Sequence, residues 1–319
     1  MTVYFAPLEG ITDDTFRRVH AACFSGVAKY FIPFVSPTQN MVFTARELRA
    51  VSPESNAGLC AVPQLLTRDS EHFLWAAHAL ADMGYGEVNL NLGCPSGTVT
   101  AKFKGSGMLR DLTTLRMFLD EVFARTPIPV SVKTRIGYDD PAEWEAVYDL
   151  LQAYPLHEMI IHPRTRSQMY HGEPYRECYA AAAVYPRPVT YNGDLFTAAD
   201  CRALMAEFPF THAVMLGRGL IANPALAQEL SGGDALTAAA LRDFHSRLLA
   251  AYQQRYPLNV VLGRMREVMK HMSCCFEDAH KPRKLIRKAA TAEAYAAAAD
   301  ALLSLPLRNN PGFDPYLYK

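Results

Sequence analysis

Ile128-Pro129-Val130-Ser131-Val132-Lys133-Thr134 is a short, β-branched and nearly unbroken apolar run, the composition of a strand buried on both faces of a parallel sheet. Runs of the same character recur at 3–8, 30–35, 60–66, 87–92, 158–162, 188–192 and 212–216, which makes eight strands. Between them, 69–83, 112–124, 141–153 and 197–208 carry helical periodicity, several opened by an Asp, Thr or Pro suited to a helix start. Eight βα units within residues 1–233 fit a closed (β/α)8 TIM barrel better than an open doubly wound sheet. Ser231-Gly232-Gly233-Asp234 then reads as a linker. Residues 235–305 are rich in Ala, Leu, Arg and Lys, show no strand pattern, and break near Pro257, at 274–281 and at Thr291. The division is therefore a catalytic barrel, 1–233, followed by a small all-helical domain, 234–319.

The bulk composition narrows the function classes. Half of the 319 residues are apolar, enough for one large core and a smaller satellite. Seven cysteines, an odd number with no C-x-x-C pair, give neither a disulfide framework nor a zinc site, so no metal is expected. No apolar run reaches the roughly 18 residues of a membrane span, and no signal segment opens the chain. A cytoplasmic protein without a membrane partner is expected, and a monomer. Net charge is zero overall, but 1–233 holds 19 Lys and Arg against 24 Asp and Glu (net −5), while 234–319 holds 13 against 8 (net +5). The C-terminal part could face a polyanion.

In a barrel the active site lies on the C-terminal rim of the strands, so unusual polar residues at strand ends can be collected without further assumption. They are Pro7-Leu8-Glu9-Gly10 after strand 1, Gln64 in strand 3, Asn91 and Cys94 after strand 4, Lys133 and Arg135 in strand 5, His162 and Arg164 after strand 6. Asn192-Gly193-Asp194 and Gly217-Arg218-Gly219 end strands 7 and 8. Either glycine loop alone fits a tight βα turn as well as a ligand contact. Two on adjacent strands favour a phosphate, because glycine lets backbone N–H groups approach it and Arg218 adds charge. Lys133 is costly in its apolar strand unless it snorkels from the strand end or faces the mouth and an electron-rich partner, such as a flavin ring. A free cysteine is usually a small buried hydrophobe, but Cys94, between Gly93 and Pro95 on the catalytic rim, is placed to act as a general acid. His162 reads either as a core histidine or, with Arg164 and Arg166 following, as an anion or flavin contact.

Together these segments resemble the tRNA-dihydrouridine synthase family. The resemblance is carried by Ala6-Pro7-Leu8-Glu9-Gly10-Ile11-Thr12-Asp13, Val62-Pro63-Gln64-Leu65, Asn89-Leu90-Asn91-Leu92-Gly93-Cys94-Pro95, Gly105-Ser106-Gly107 and Ser131-Val132-Lys133-Thr134-Arg135-Ile136-Gly137. It continues through His162-Pro163-Arg164-Thr165-Arg166, Asn192-Gly193-Asp194 and Gly217-Arg218-Gly219, covering the whole barrel in order. Leu8 stands where the family commonly has Met, and Pro163 where it commonly has Gly; neither change removes a chemical group.

The resemblance implies an NAD(P)H- and FMN-dependent oxidoreductase that reduces the C5–C6 double bond of a tRNA uridine. Cys94 would give a proton to C5 while FMN N5 gives hydride to C6. FMN would lie against Pro7, Leu8, Glu9, Gln64, Lys133 and His162, with its phosphate at Asn192, Gly193, Asp194, Gly217 and Arg218. NADPH would be the reductant, with NADH possible. Asn91 would bond the uracil or the flavin, and Arg135, Arg164, Arg166 and Tyr170 would flank the mouth where tRNA enters. In the helical part, Arg264, Arg266 and Lys270 form one stripe at helical spacing and Lys284 to Lys288 another, and the family's helical domain binds tRNA. Two rival readings are a flavin barrel that acts on a free pyrimidine, of the dihydroorotate or dihydropyrimidine type, and a non-catalytic tRNA-binding barrel. The basic tail speaks against the first. The presence of Cys94, Lys133 and both phosphate loops speaks against the second.

Overall fold

The computed structural model describes residues 1–308; the last stretch of the expected helical domain, 309–319, lies outside the described residues. Eight strands, β1 (Thr2–Phe5), β2 (Val27–Val35), β3 (Ala61–Leu65), β4 (Val88–Leu92), β5 (Val130–Gly137), β6 (Met159–Thr165), β7 (Val189–Asn192) and β8 (Ala213–Leu216), pair in sequence order. All pairings are parallel, and β8 closes on β1 with Phe5 opposite Leu216. This is the expected TIM barrel, and each of the eight apolar runs became a strand.

The helices of the barrel are α1 (Asp14–Cys23), α2 (Ala45–Val51), α3 (Ser70–Asp82), α4 (Gly97–Thr100), α5 (Leu112–Arg125), α6 (Trp144–Gln152), α7 (Arg176–Ala180), α8 (Ala198–Glu207), α9 (Arg218–Ala222) and α10 (Leu226–Leu230). Their starts are written in the sequence. Asp13, Asp69, Asp111 and Thr197 each accept a backbone N–H two or three residues into the helix they open, satisfying donors with no intrahelical partner.

Beyond the barrel, α11 (Ala238–Gln253), α12 (Leu258–Met272), α13 (His280–Lys288) and α14 (Ala292–Leu303) form the all-helical part. It packs directly on the barrel. Phe244 of α11 meets Phe16 of α1 edge to face at 5.7 Å between ring centres, Tyr252 donates to Asp13 at 3.2 Å, and Cys275 after α12 donates to the Ala222 carbonyl at the end of α9. The apolar core between sheet and helices therefore runs without a break into the helical layer.

Inside the barrel, Tyr4, Phe31, Ile160 and Met215 belong to a small apolar cluster. At the N-terminal end, Lys29 Nζ lies 2.6 Å from Glu87 and 3.5 Å from Glu158, and Thr190 donates to the other Glu158 oxygen. From there a hydrogen-bond ladder climbs towards the rim: Ser131 donates to Glu87 at 2.6 Å, Asn89 to Ser131 at 2.8 Å, Gln64 to Asn89 at 2.8 Å, and Asn91 to Gln64 at 2.6 Å.

Candidate active site

A cavity of about 380 Å³ opens at the C-terminal rim, within the usual size range of small-molecule sites. Its wall brings together Pro7, Leu8 and Glu9 after β1, Gln64 of β3, Asn91 and Cys94 at the end of β4, and Lys133 and Arg135 of β5. His162, Tyr170, Asn192, Gly193, Asp194, Gly217 and Arg218 complete it. Every residue expected to hold the cofactor lines this one space. Phe34, Phe196 and His271 line it too, and the sequence reading did not place them there. The two rings carry no polar signal, and His271 lies on α12, beyond the barrel strand ends from which the site residues were collected.

The loop carrying Cys94 is held from three sides. Asn91 Oδ1 accepts from the backbone N–H of Gly93 at 3.0 Å and of Cys94 at 2.9 Å, which fixes the turn. Ser106 donates to the Cys94 carbonyl through Oγ at 2.8 Å and through its backbone N–H at 3.2 Å. Gly105 has φ +59°, and a Cβ there would stand 2.9 Å from the Cys94 carbonyl oxygen, so a side chain fits neither the backbone nor the space. The Gly105-Ser106-Gly107 segment thus acts as a cradle for Cys94. With its oxygen accepting two hydrogen bonds and one amide hydrogen given to Gln64, Asn91 has one amide N–H with no partner among the described residues, a single donor open to a ligand.

Burial pushes the Cys94 thiol above its usual range, partly offset by the Ser96 backbone N–H and by Arg135 and Lys133, so it is a thiol at neutral pH. On the adjacent strand, with Asn91 as its register partner, Lys133 has no side-chain ion pair or hydrogen bond among the described residues. Loss of water and the charge of Arg135 bring its ammonium down to about 7. His162 is neutral, because burial and then the charges of Arg135, Lys133, Arg164 and Arg218 oppose protonation.

The loops after β7 and β8 interlock. Gly193 and Asp194 have φ +156° and +35°, and a Cβ on Gly219 would stand 2.2 Å from the Leu195 carbonyl oxygen. Asp194 takes Arg164 on one oxygen and Arg218 on the other. Two guanidiniums against one carboxylate leave a net positive charge beside the glycine backbone.

The residues expected at the RNA mouth divide. Tyr170 is 43% exposed and Arg166 partly so, whereas Arg135 and Arg164 are each 1% exposed. Arg135 donates to the carbonyls of Gly93 at 3.0 Å and Thr165 at 2.7 Å, and Arg164 to that of Gly172 and to Asp194, so both guanidiniums hold rim loops in place. The ring of Tyr170 lies under Arg218 at 4.7 Å and Arg135 at 5.4 Å. The stripe expected on α12 also differs. Arg264 pairs with Asp13 and stacks on Tyr256 at 4.6 Å, and Arg266 donates to the Ala289 carbonyl, so both stitch elements together instead of facing solvent. Lys270 is partly buried. Arg264 and Arg266, two residues apart, point to different sides of α12, and spacing did not show which neighbour each would meet.

Among the described residues no helix is long and apolar enough to cross a membrane, and no group of three or more His, Cys, Asp or Glu could hold a metal ion.

A family model described as dihydrouridine synthase matches residues 4–307. A probable tRNA-dihydrouridine synthase of Rhodobacter capsulatus is 31% identical over 225 residues, 70% of this chain and 68% of that one. The tRNA-dihydrouridine synthase B of Pasteurella multocida is 29% identical over 224 residues, 70% of this chain and 66% of that one, so the match spans about two thirds of these relatives. Among solved structures, morphinone reductase superposes with a TM-score of 0.50 at 14% identity, covering 74% of this chain and 87% of that one. An old yellow enzyme homologue of Zymomonas mobilis does so with 0.50 at 12%, covering 74% and 89%. At such identity these two establish a shared barrel fold and no more. The family match runs from β1 to the last described residues of the helical layer and takes in the Cys94 loop, Lys133 and both glycine loops, and on that extent the chain belongs to the dihydrouridine synthase family.

Proposed function

We propose that this chain reduces the C5–C6 double bond of a uridine in tRNA to 5,6-dihydrouridine, with FMN as bound cofactor, NADPH or NADH as reductant, and Cys94 as proton donor. The observation that carries the reading is the pair on neighbouring parts of the cavity wall: a half-buried thiol kept protonated, just after β4, and a half-buried lysine on the adjacent β5 whose side chain has no partner among the described residues.

An orphaned cation in a largely apolar cavity fits an anionic, electron-rich ring. The net positive charge where Arg164 and Arg218 meet Asp194, beside Asn192, Gly193 and Gly217, fits a phosphate. Asn192, Gly193, Gly217, Arg164 and Arg218 would hold the FMN phosphate, and the bound flavin would supply the hydride for C6 of the uracil ring. Lys133 stabilises negative charge on the cofactor ring, and neutral His162 offers a hydrogen bond without adding charge. Cys94 Sγ–H delivers the proton to C5. The thiolate left behind is stabilised by the Ser96 N–H and by Arg135 and Lys133, and recovers its proton from water. The balance is one NAD(P)H and one proton consumed per uridine, which gains two hydrogens. A uridine stacked in folded RNA cannot reach Cys94, so it must be turned out into the cavity, past Tyr170 and Arg166.

The test is incubation of unmodified tRNA with the protein, FMN and NADPH, followed by nuclease mapping and mass spectrometry. A gain of two hydrogens at one uridine supports the reading; reduction of free uracil alone moves the activity to a free-pyrimidine dehydrogenase. Cys94→Ala is expected to keep the bound flavin spectrum while losing about 10²–10⁴-fold in rate; undiminished turnover removes Cys94 from the mechanism.

A further inference from the structure

On the rim beside the Cys94 loop, four side chains stack in alternation. Arg110 lies over the ring of Phe103 at 5.1 Å and over that of Tyr138 at 5.0 Å, and Arg166 lies over the ring of Tyr138 at 5.2 Å. Arg110 has no carboxylate partner among the described residues, and the buried Nε of Arg166 has no hydrogen-bond partner. The acids next in sequence are engaged elsewhere: Asp111 caps α5 through the N–H groups of Thr113 and Thr114, and Asp139 accepts from Ser167.

Phe103 is held in a conformation that local energetics disfavour. Its φ is +52°, a region bulky residues rarely occupy, and the residue is 41% exposed to water. Lys102 and Lys104 flank it, and with Arg68 they are close enough that Lys104 is lowered, first by burial and then by these two charges. An exposed ring among crowded cations, on a strained backbone, meets no need of the barrel. It suits an unstacked base above the ring and phosphates beside it.

We infer that Phe103, Arg110, Tyr138 and Arg166, with Lys102, form a ledge that binds an RNA nucleotide flanking the one presented to Cys94, its base on Phe103 and its phosphate at Arg110 and Lys102. The inference rests on the proposed action on tRNA. The ledge is built into the segment that cradles Cys94, since Gly105 and Ser106 follow two and three residues after Phe103. Occupation of the ledge therefore bears on the loop holding the proton donor.

The experiment is equilibrium binding of unmodified tRNA to the full chain across a salt series, for wild type, Phe103→Ala, Phe103→Trp and Arg110→Gln, with the flavin absorbance of each recorded as a check on the fold. Phe103→Ala is expected to weaken binding about tenfold, the order of one lost base–aromatic stack, and Phe103→Trp to restore it. Arg110→Gln should weaken binding and lower the salt slope by about one counterion. Wild type that binds tRNA with all three variants equal to it overturns the ledge and leaves the proposed function standing. Wild type that neither binds nor reduces tRNA overturns both.

Discussion

Two lysines in two apolar strands of the same barrel behave in opposite ways. Lys29 of β2 points into the N-terminal end, where Glu87 and Glu158 hold it and raise its ammonium above the ordinary range despite the cost of burial. Lys133 of β5 points into the C-terminal end, meets only cations and a thiol, and falls to about 7. The first end is electrostatically finished by the protein itself. The second is left incomplete, and that incompleteness is the physical mark of a binding site.

The sharpest way to break this contrast is to replace each lysine by methionine. Lys29→Met leaves two carboxylates, 8% and 2% exposed, without their counter-charge, and should cost about 3–5 kcal/mol in chemical denaturation. Lys133→Met removes an unpaired, desolvated charge. It should leave the stability of flavin-stripped protein unchanged or raised, while turnover falls about 10²-fold, as when one charge-stabilising donor is lost. If both variants lose similar stability, the two ends do not differ in the way described.

A smaller effect separates the helical layer from the rim. Arg264→Ala leaves Asp13 largely buried without its guanidinium and should cost about 1–3 kcal/mol of stability, with the salt slope of tRNA binding unchanged. An unchanged melting temperature with a reduced slope would return Arg264 to the RNA surface. The smallest effect is on acid stability. Burial lowers His20 and His245 to about 4 and His271 to about 3, so each fold-state imidazole is neutral. Their contribution is complete above the unfolded value near 6.5 and is lost as pH falls from there towards about 4 for His20 and His245 and about 3 for His271. Melting temperature should decline over that window; a flat profile would mean that these histidines remain solvated.

What could be read along the chain and what could not follows from the range of the forces involved. Each strand of the barrel was legible because burial on both faces demands an unbroken apolar run, and helix starts because a cap acts over three residues. Placing Cys94, Lys133, His162 and both glycine loops on one rim needed only strand ends and the rule that a barrel works from its C-terminal face. Arg135, Arg164, Arg264 and Arg266 read as RNA contacts, since a guanidinium in a sequence says nothing about the carbonyl or carboxylate it will meet. Their partners, Gly93, Asp194, Asp13 and Ala289, lie 23 to 251 residues away along the chain. The sequence by itself determined the barrel, the order of its elements and which residues could do chemistry. Only the tertiary structure decided which charges are spent inside the protein and which, like Lys133, meet no counter-charge among the described residues, because an ion pair is made by proximity in space and not in sequence.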